Sequence, residues 1–538
     1  MAARAPATSK QHLQLGADEV VLAKLGYKQE FRREFTPLEV SGLAFSYTGV
    51  LPGIASVLFY AIPNGGPVAM VWGWAIAGPF IMCIGLAMAE LASAAPTSGG
   101  LYYWTYSLAS PRCRNFLSWI VGYSNTIQTI TGVASVNWAC AIQIAAAISI
   151  ATDQAYVTTN EQLYGIYAAL VLSHAVLVSL GTKVLARLQR LYTFVNLCLC
   201  FIVIIALPIA TPREYRNSAS FALGNFTNLA GWPSGFAFIL SFMAPLYSIG
   251  GYDASVHMSE EASNAATAIP WAIISSIAVS VVLGWGINVS LAFCMGTNLE
   301  SILNGPIGQP MAQILYTSLG QRGALALWCL IISTLYIVAS NSLLVGSRQT
   351  FAFSRDGALP FSRYLYRINS YTQTPVNTVW FDAVFVLVIG LLAFVSTEAI
   401  NAVFTIGITA SYVSYITPIT TRFAFKNDFK PGPFYLGKLS FPIAAIAVSS
   451  MVFMIFVFFF PSTPQTTAQE MNYTAVVLGG YMALAISWYY CPVYGGVHWF
   501  NGPVANLAPS MKGGSGDENS VSKKEQQDAE LSVSVVDV

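Results

Sequence analysis

The residues best placed to do chemistry lie where two adjacent glycines and a carboxylate interrupt an apolar run. Gly250 and Gly251 lie just before Asp253. The apolar run that leads to them begins at Phe236, so the glycines fall inside a predicted membrane helix and not at its start. Each glycine weakens a helix by roughly 1 kcal/mol relative to alanine. A carboxylate inside hydrocarbon is costly and therefore usually functional. The stretch predicts a helix broken at mid-membrane beside an ionisable group.

A second interruption of the same kind lies in the first apolar run, at residues 46–53. Gly49, Pro52 and Gly53 fall within eight residues, and a proline inside a helix costs about 3 kcal/mol or more. Glycine and proline are also common in membrane helices that are only kinked. Here, however, the two interruptions fall five spans apart. Matched interruptions indicate an inverted repeat with a solute site between its halves, as in secondary transporters.

Composition sets the class of protein. Hydrophobic residues make up 55% of the 538 residues and charged residues 9%, against roughly 25% charged in soluble domains. The net charge of +1 gives no nucleic-acid footprint. Since a span needs about 20 apolar residues, we predict an all-α polytopic membrane protein with about twelve spans. They are 37–60, 67–92, 115–149, 161–181, 189–210, 234–258, 268–294, 324–347, 377–396, 398–421, 439–460 and 474–494.

The interruptions also predict how the chain is divided. Loop lysines and arginines follow most even-numbered spans, so both termini are expected in the cytoplasm. The predicted parts are a cytoplasmic segment 1–36, a transporter domain 37–494 (repeats 37–210 and 234–421, extra spans 439–494) and a cytoplasmic disordered tail 495–538.

Breaking a helix frees the groups that could bind a solute. The N–H groups that start a half-helix carry about half a positive charge and bind carboxylates. Freed carbonyls and tyrosine faces can receive a cationic group. The candidate substrate-binding residues are Tyr47, Thr48, Gly49, Val50, Leu51 and Gly53 at the first interruption, and Tyr247, Ser248, Ile249, Gly250 and Tyr252 at the second.

Asp253 is the predicted proton-coupling residue. Removal from water favours the protonated form of a carboxyl group, so Asp253 can exchange a proton near neutral pH. Two alternatives stay open: a counter-charge to a substrate amine, and a structural bridge to a neighbouring helix. No metal site is predicted.

Other polar residues are assigned from their positions along the spans. Predicted pathway-lining residues are Asn125, Gln128, Thr129, Tyr336, Asn341 and Tyr412, with Tyr415 beside them. Glu90 and Arg348 are predicted to form a cytoplasmic gate, whereas Arg355 and Asp356 are assigned to packing and topology. Asp382 is expected to face water, and His174 and His257 to lie in the core or at an interface.

Three motifs resemble the amino acid–polyamine–organocation permeases, and in particular their fungal amino acid/choline branch. They are residues 89–104, Gly251-Tyr252-Asp253 with Met258-Ser259-Glu260-Glu261, and residues 347–360; residues 25–35 also resemble that branch. The resemblance implies a five-plus-five inverted-repeat fold with two extra C-terminal helices. It also implies a site at the first break, where the family's usual Gly-Ser-Gly run is replaced by Gly-Val-Leu-Pro-Gly.

The function expected from these observations is secondary active transport by alternating access. The resemblance implies a small amino-group solute, with an amino acid such as γ-aminobutyrate (GABA) as the leading substrate. A choline, quaternary amine or polyamine transporter and a non-transporting nutrient sensor remain alternatives.

No nucleotide-binding loop is present and the four histidines are scattered, so we predict no enzyme activity and no cofactor, with a proton gradient as the energy source. Membrane lipids are the other expected partners. The plasma membrane is the expected location, and the vacuolar membrane is the alternative.

Overall fold

Long apolar helices make up most of the chain that the computed structural model describes, residues 17–180, 182–465, 467 and 471–505. Within this part, ten helices are long and apolar enough to cross a membrane, and Ser234–Ser248 and Thr474–Tyr489 are shorter apolar helices. The predicted all-α polytopic fold is confirmed. Residues 1–16 and 506–538, which belong to the predicted N-terminal segment and tail, lie outside the described residues.

The helices lie at the twelve predicted span positions. The eighth is much longer than predicted because it begins at Pro310, before a bend at Gly320 (φ +70°). The helices are Pro37–Thr48 with Val50–Ala61, Gly66–Ala94, Arg114–Ala151, Asn160–Leu180, Thr182–Ala210, Ser234–Leu240 with Met243–Ser248 and Ala254–His257, Ala265–Cys294, Pro310–Arg355, Val376–Gly390, Thr397–Ala424, Ser440–Val457 and Thr474–Tyr489.

The first span is two helices joined at a single residue. Thr36 caps its start through a capping box with Glu39, which satisfies N–H groups that have no partner within the helix. Gly49 then adopts φ +50° and ψ +57°, a left-handed conformation that ends the first half-helix and that glycine reaches most easily. Pro52 falls in the first turn of the second half-helix, where its missing N–H costs no hydrogen bond. The break therefore depends on Gly49 and not on the proline.

The sixth span breaks over a longer stretch. The helix Met243–Ser248 ends at Ile249, Gly251 has φ +72°, and a short helical turn begins again at Ala254. The two adjacent glycines thus interrupt the span at the predicted place.

The two breaks lie directly against each other. A Cβ atom placed on Gly251 would come within 1.9 Å of Tyr47 Cε1, and one on Gly53 within 3.2 Å of Ser248 Cβ. The ring of Tyr47 therefore occupies the space that a side chain at Gly251 would need. Glycine at both crossing points is what allows the two backbones to approach so closely.

The second, third and fourth spans are each joined by a hydrogen bond to the span five positions later in the chain. Trp74 of the second span donates to the Val281 carbonyl of the seventh at 3.0 Å. Trp328 of the eighth donates to a third-span carbonyl at 2.9 Å, and Tyr167 of the fourth to the Val386 carbonyl of the ninth at 2.6 Å. Together with the crossing of the first and sixth spans, these contacts are the pattern expected of two five-span repeats.

The two ends of the bundle are distinguished by the segments that cover them. At one end, here named the terminal side, Phe35 pairs with Ala262 and the Val504 N–H donates to Asp356. At the other, the far side, the strands Asn64–Gly65 and Thr227–Asn228 pair antiparallel. The first strand follows the first span, so it ties that end of the bundle to the start of the sixth span.

We expect Gly251→Ala to destabilise the protein. A non-glycine residue in this left-handed conformation costs about 1–3 kcal/mol, and the new Cβ would also displace Tyr47. Gly165→Ala is the matched control, because Gly165 lies inside a helix with no atom within 4 Å of its Cβ position. The control should gain up to about 1 kcal/mol in helix propensity. Thermal unfolding of the purified proteins measures both effects, and an unchanged midpoint for Gly251→Ala would contradict the tight crossing.

Candidate functional site

A cavity of about 90 Å³ lies where the two broken spans cross. The third, eighth and tenth spans complete its wall. Ten of the predicted site and pathway residues line it: Tyr47, Thr48, Gly49, Gly53, Gln128, Tyr247, Ser248, Gly250, Tyr252 and Tyr412. Among the described residues around it, none is Asp, Glu, Lys or Arg, so a bound solute meets hydroxyl, amide, aromatic and main-chain groups.

Seven predicted residues do not line this cavity. The side chains of Val50, Leu51 and Ile249 are fully buried in the core. Thr129 donates to the Asn125 carbonyl, one turn away on the third span. Asn125 is itself buried, with no hydrogen-bond partner for its amide among the described residues.

Two further predicted pathway residues are placed elsewhere by contacts with other spans. Tyr336 packs on His174 and pairs with Ser173 at 2.9 Å. Asn341 accepts a hydrogen bond from Gln189 at 2.8 Å. Asn125, Thr129, Tyr336 and Asn341 therefore do not line this cavity, and their role along a transport pathway stays a prediction.

The first break presents a helix N-terminus to the cavity. Val50 and Leu51 are the first residues of the half-helix Val50–Ala61, and the first N–H groups of a helix have no acceptor within it. Their side chains point into the core, but their main chain starts beside Gly49, which lines the cavity. This end carries the partial positive charge of the helix dipole.

A buried hydroxyl group without a partner also lies at the cavity. Ser248 lines the cavity, and its Oγ has no hydrogen-bond partner among the described residues. The Thr48 hydroxyl, by contrast, donates to the Phe45 carbonyl at 2.8 Å and contacts Ser280. Since buried polar groups are normally satisfied, Ser248 is the hydroxyl best placed to bind a solute.

Aromatic rings cover much of the remaining wall. Tyr247 packs against Phe404 with ring centroids 5.1 Å apart, and its hydroxyl donates to Ser135 at 3.0 Å. Tyr252 packs against Tyr415 at 5.6 Å. Phe404 and Ser135 were not predicted, because a single aromatic or small polar residue in an apolar run carries no signal that distinguishes lining from packing.

Asp253 lies immediately behind the wall. It is 2% exposed, and its Oδ2 accepts a hydrogen bond from Gln128 Nε2 at 3.0 Å. Gln128 itself lines the cavity and accepts from Ser414. The amide of Gln128 therefore connects the carboxylate to the solute space.

His257 is the neighbour of Asp253 that sequence reasoning missed. Its Nε2 lies 3.6 Å from Asp253 Oδ2. The spacing of four residues, which puts both side chains on one helical face, was the available signal. His257 is buried, as the assignment to the core or an interface expects, and its contact with Asp253 is the additional feature.

Two buried ion pairs close the terminal side. Arg348 bonds Glu261 at 2.8 Å, and Arg355 bonds both oxygens of Glu260 at 3.0 and 3.1 Å. All four side chains are at most 4% exposed. We name these two pairs the terminal gate. They tie the chain after the sixth span to the eighth.

Glu90, the other predicted gate residue, belongs to a separate pair. It receives both guanidinium nitrogens of Arg422 at 2.6 and 2.8 Å and the Ser440 hydroxyl at 2.8 Å. Glu90 and Arg348 are thus both buried in ion pairs but not with each other. Arg355, which we had assigned to packing, belongs to the terminal gate.

Asp356, the residue after Arg355 of the terminal gate, accepts hydrogen bonds from segments near both ends of the described chain. Its carboxylate accepts from Tyr102 at 2.6 Å, from Tyr27 at 3.2 Å and from the Val504 N–H at 3.0 Å. Burial raises the pKa of Asp356, although Arg355 and these donors oppose the shift. Burial and the nearby carboxylate also raise the pKa of Tyr27, which therefore stays a hydrogen-bond donor.

A second pocket, lined by Tyr60, Asn401 and Thr405 among others, lies one turn beyond Tyr247 and Phe404. Tyr247 and Phe404, whose rings are tilted against each other, line the central cavity and not this pocket.

Asp382 does not face water as expected. It is fully buried in the ninth span and accepts from Thr350 of the eighth at 2.9 Å. Asp382 therefore joins two helices away from the cavity.

The comparisons with known proteins agree with this architecture. Residues 36–481 match the family described as amino acid permease. The chain is 39% identical to the GABA-specific permease of Saccharomyces cerevisiae, over 91% of this chain and 86% of that protein. It is 38% identical to an uncharacterised amino-acid permease of Schizosaccharomyces pombe (91% and 88% covered) and 33% identical to the amino-acid permease BAT1 of Arabidopsis thaliana (92% and 97% covered). The chain therefore belongs to the amino acid permease family of the amino acid–polyamine–organocation superfamily, whose members are multi-pass membrane transporters and not enzymes.

Proposed function

We propose that this permease takes up a zwitterionic amino acid, with GABA as the leading candidate, by proton-coupled alternating access. The observation that carries the proposal is a cavity without a charged side chain among its described lining residues, set against the N-terminus of a half-helix. Such a site suits a solute that brings one charge of each sign and is neutral overall.

The carboxylate of the solute would bind at the first break. Main-chain N–H groups of Val50 and Leu51 lie at the positive end of the second half-helix, and helix N-termini bind anions without basic side chains. Gly49 and Gly53 keep the wall free of side chains there. The Ser248 hydroxyl, which has no partner in the described chain, is available as a further donor.

The ammonium group would bind at the second break. Carbonyl oxygens become available where the helix ends after Ser248. The rings of Tyr47, Tyr252 and Tyr412 line the same cavity. A cation over such a ring gains about 2 kcal/mol or more when it is desolvated.

The aromatic wall also supports a second candidate, a choline or other quaternary amine. Aromatic cages are a common way to bind quaternary ammonium ions, and five tyrosines and one phenylalanine line this cavity. Choline has no carboxylate, however, and would leave the helix N-terminus without a partner. The similarity to a GABA-specific permease further supports an amino acid.

Asp253 is the proposed site of proton coupling. The carboxylate is buried and accepts a hydrogen bond from Gln128, which lines the cavity. A proton on Asp253 would change the charge beside the cavity without occupying it. Uptake would then be driven by the proton gradient, with the terminal gate opening toward the cytoplasm.

The proposed orientation puts both termini in the cytoplasm of a plasma-membrane protein. Loops at the terminal side carry Arg112, Arg114, Arg363, Arg367 and Lys430, and an excess of such residues marks the cytoplasmic side. The terminal gate is then the inner gate.

A competition panel in reconstituted vesicles tests the substrate. We expect saturable uptake that GABA or another amino acid competes for and that choline does not, because only the amino acids supply a carboxylate for the helix N-terminus. Competition by choline alone would replace the proposed substrate class. Binding without flux or counterflow would identify a sensor instead.

We expect Asp253→Asn to lose uptake driven by a pH gradient while keeping its fold. The amide oxygen of asparagine can still accept from Gln128, but the group no longer binds and releases a proton. The accumulation ratio should fall to about 1, the value without coupling to the gradient. The exposed Asp428→Asn is the control and should accumulate solute normally. Full pH-driven accumulation by Asp253→Asn would remove this residue from the coupling mechanism.

We expect Gly49→Leu to weaken substrate binding about tenfold or more, equivalent to about 1.4 kcal/mol. Gly49 has φ +50°, and an added Cβ would lie 2.8 Å from Val338 Cγ2, so the start of the second half-helix must shift. Gly165→Leu, where the space is open, should leave the affinity unchanged. Thermal unfolding separates lost binding from lost folding. A folded Gly49→Leu variant with normal affinity would place the carboxylate site elsewhere.

A further inference from the structure

We propose that His257 shares the coupled proton with Asp253, and that Ser98 ties this proton to the terminal gate. The inference rests on the proton coupling proposed above and adds the residues that hold the proton and transmit its presence. Three observations carry it: the orientation of the His257 ring, the partners of Asp253 and the two hydrogen bonds of Ser98.

The orientation of His257 determines which ring nitrogen carries hydrogen. Nδ1 lies 2.9 Å from the carbonyl oxygen of Ser98, and a carbonyl oxygen only accepts hydrogen bonds. Nδ1 must therefore be the protonated nitrogen of the neutral ring. Nε2 then presents a lone pair toward Asp253 Oδ2, 3.6 Å away.

With only Nδ1 protonated, no hydrogen lies between His257 Nε2 and Asp253 Oδ2. His257 is 2% exposed, and Nε2 has no hydrogen-bond partner among the described residues. Without a further proton, a lone pair and a carboxylate would face each other out of contact with water, which is unfavourable for both. One added proton, on Nε2 or on Oδ2, turns this into an imidazolium–carboxylate pair or a neutral acid beside a neutral imidazole.

The other groups around Asp253 do not supply that charge. Gln128 donates a neutral hydrogen bond, and the remaining groups that interact with the carboxylate are tyrosines. The nearest arginines of the eighth span are bonded to Glu260 and Glu261. Within the described chain, His257 is thus the only ionisable base within 4 Å of Asp253. The tyrosines are Tyr47, Tyr252 and Tyr415.

The main chain of Ser98 connects the Asp253–His257 pair to the terminal gate. Its carbonyl accepts from His257, and its N–H donates to Glu260 Oε1 at 3.1 Å. Glu260 is the gate residue that bonds Arg355 at 3.0 and 3.1 Å. A movement of Glu260 on opening must therefore pull on Ser98 and weaken its bond to His257.

The coupling follows from this chain of contacts. A proton on the pair strengthens the His257–Ser98 bond, because a charged donor makes the stronger hydrogen bond. Ser98 is then held in the position that supports Glu260 in the closed gate. Proton release weakens this support and favours the open gate. The proton enters and leaves the same pair of atoms, Nε2 and Oδ2, and no other covalent bond changes.

The variant His257→Asn tests the shared proton. The asparagine amide nitrogen can take the place of Nδ1 and keep the bond to Ser98, whereas the titrating nitrogen Nε2 is removed. In reconstituted vesicles we expect pH-driven accumulation of GABA or of the best substrate from the panel to fall about tenfold or more. Counterflow exchange at equal pH should stay within about threefold of the unmodified protein. His498→Asn, an exposed histidine on the terminal side, is the control and should change neither.

The outcomes separate this inference from the proposed function. If the unmodified protein shows no pH-driven accumulation, proton coupling fails, and this inference fails with it. If the unmodified protein is coupled and His257→Asn has the same pH profile, only the shared proton is overturned. Should His257→Asn fail to fold, His257→Gln replaces it after a check by thermal unfolding; because glutamine loses the bond to Ser98, it is judged by pH-driven accumulation alone.

A second pair of variants tests the link through Ser98. Arg355→Lys keeps the charge but loses the bidentate hydrogen bonding to Glu260. Glu260 is then held less firmly, and so is Ser98, whose N–H donates to it. We expect the pH of half-maximal uptake to fall by about 0.5 unit or more, because a weaker hydrogen bond from His257 to Ser98 stabilises the protonated pair less. Arg422→Lys loosens the other ion pair, which does not touch Ser98, and should not shift this pH. Equal pH profiles for Arg355→Lys and Arg422→Lys would overturn the link.

Discussion

The close crossing of two broken helices is the constraint on which the rest of this structure depends. Tyr47 packs where a side chain at Gly251 would otherwise lie, and a Cβ on Gly53 would come within 3.2 Å of Ser248 Cβ. Because both contacts need glycine, the backbones approach closely enough for a helix N-terminus and a helix C-terminus to border one cavity. Helix ends are the only places in a membrane helix where main-chain polar groups are free. The solute site follows from this crossing.

Charge is kept out of the cavity and placed in layers around it. Asp253 lies behind Gln128, and the ion pairs of the terminal gate lie deeper on the terminal side. Buried ion pairs contribute little net stability, since desolvation offsets most of their attraction, but removing one partner is very costly. Such pairs suit a gate that must be closed or open and not partly open. The ends of the described chain, joined at Asp356, cover that gate.

The fold was largely predictable because its signals are local. Runs of apolar residues long enough to cross a membrane predicted the helix positions, and Gly250-Gly251 predicted the break in the sixth span. Misassignments occurred where a residue's role depends on which helix it faces. Asn341 and Tyr336 carry the same polar groups as lining residues, yet they bond Gln189 and Ser173. The sequence predicted the first break from Gly49, Pro52 and Gly53 together, whereas in the structure Gly49 alone leaves the helical conformation.

By itself, the sequence determined the class of protein, the number of spans and the two interruptions, because hydrocarbon thickness and glycine conformation act on neighbouring residues in the chain. Only the tertiary structure decided which polar residues share the cavity and which charges pair. Glu90 bonds Arg422, Arg348 bonds Glu261, and His257 turns toward Asp253 and Ser98. Apart from the Asp253–His257 spacing, these partners are far apart in the chain and one face of a helix cannot reveal its neighbour, so their pairing depends on how the helices pack.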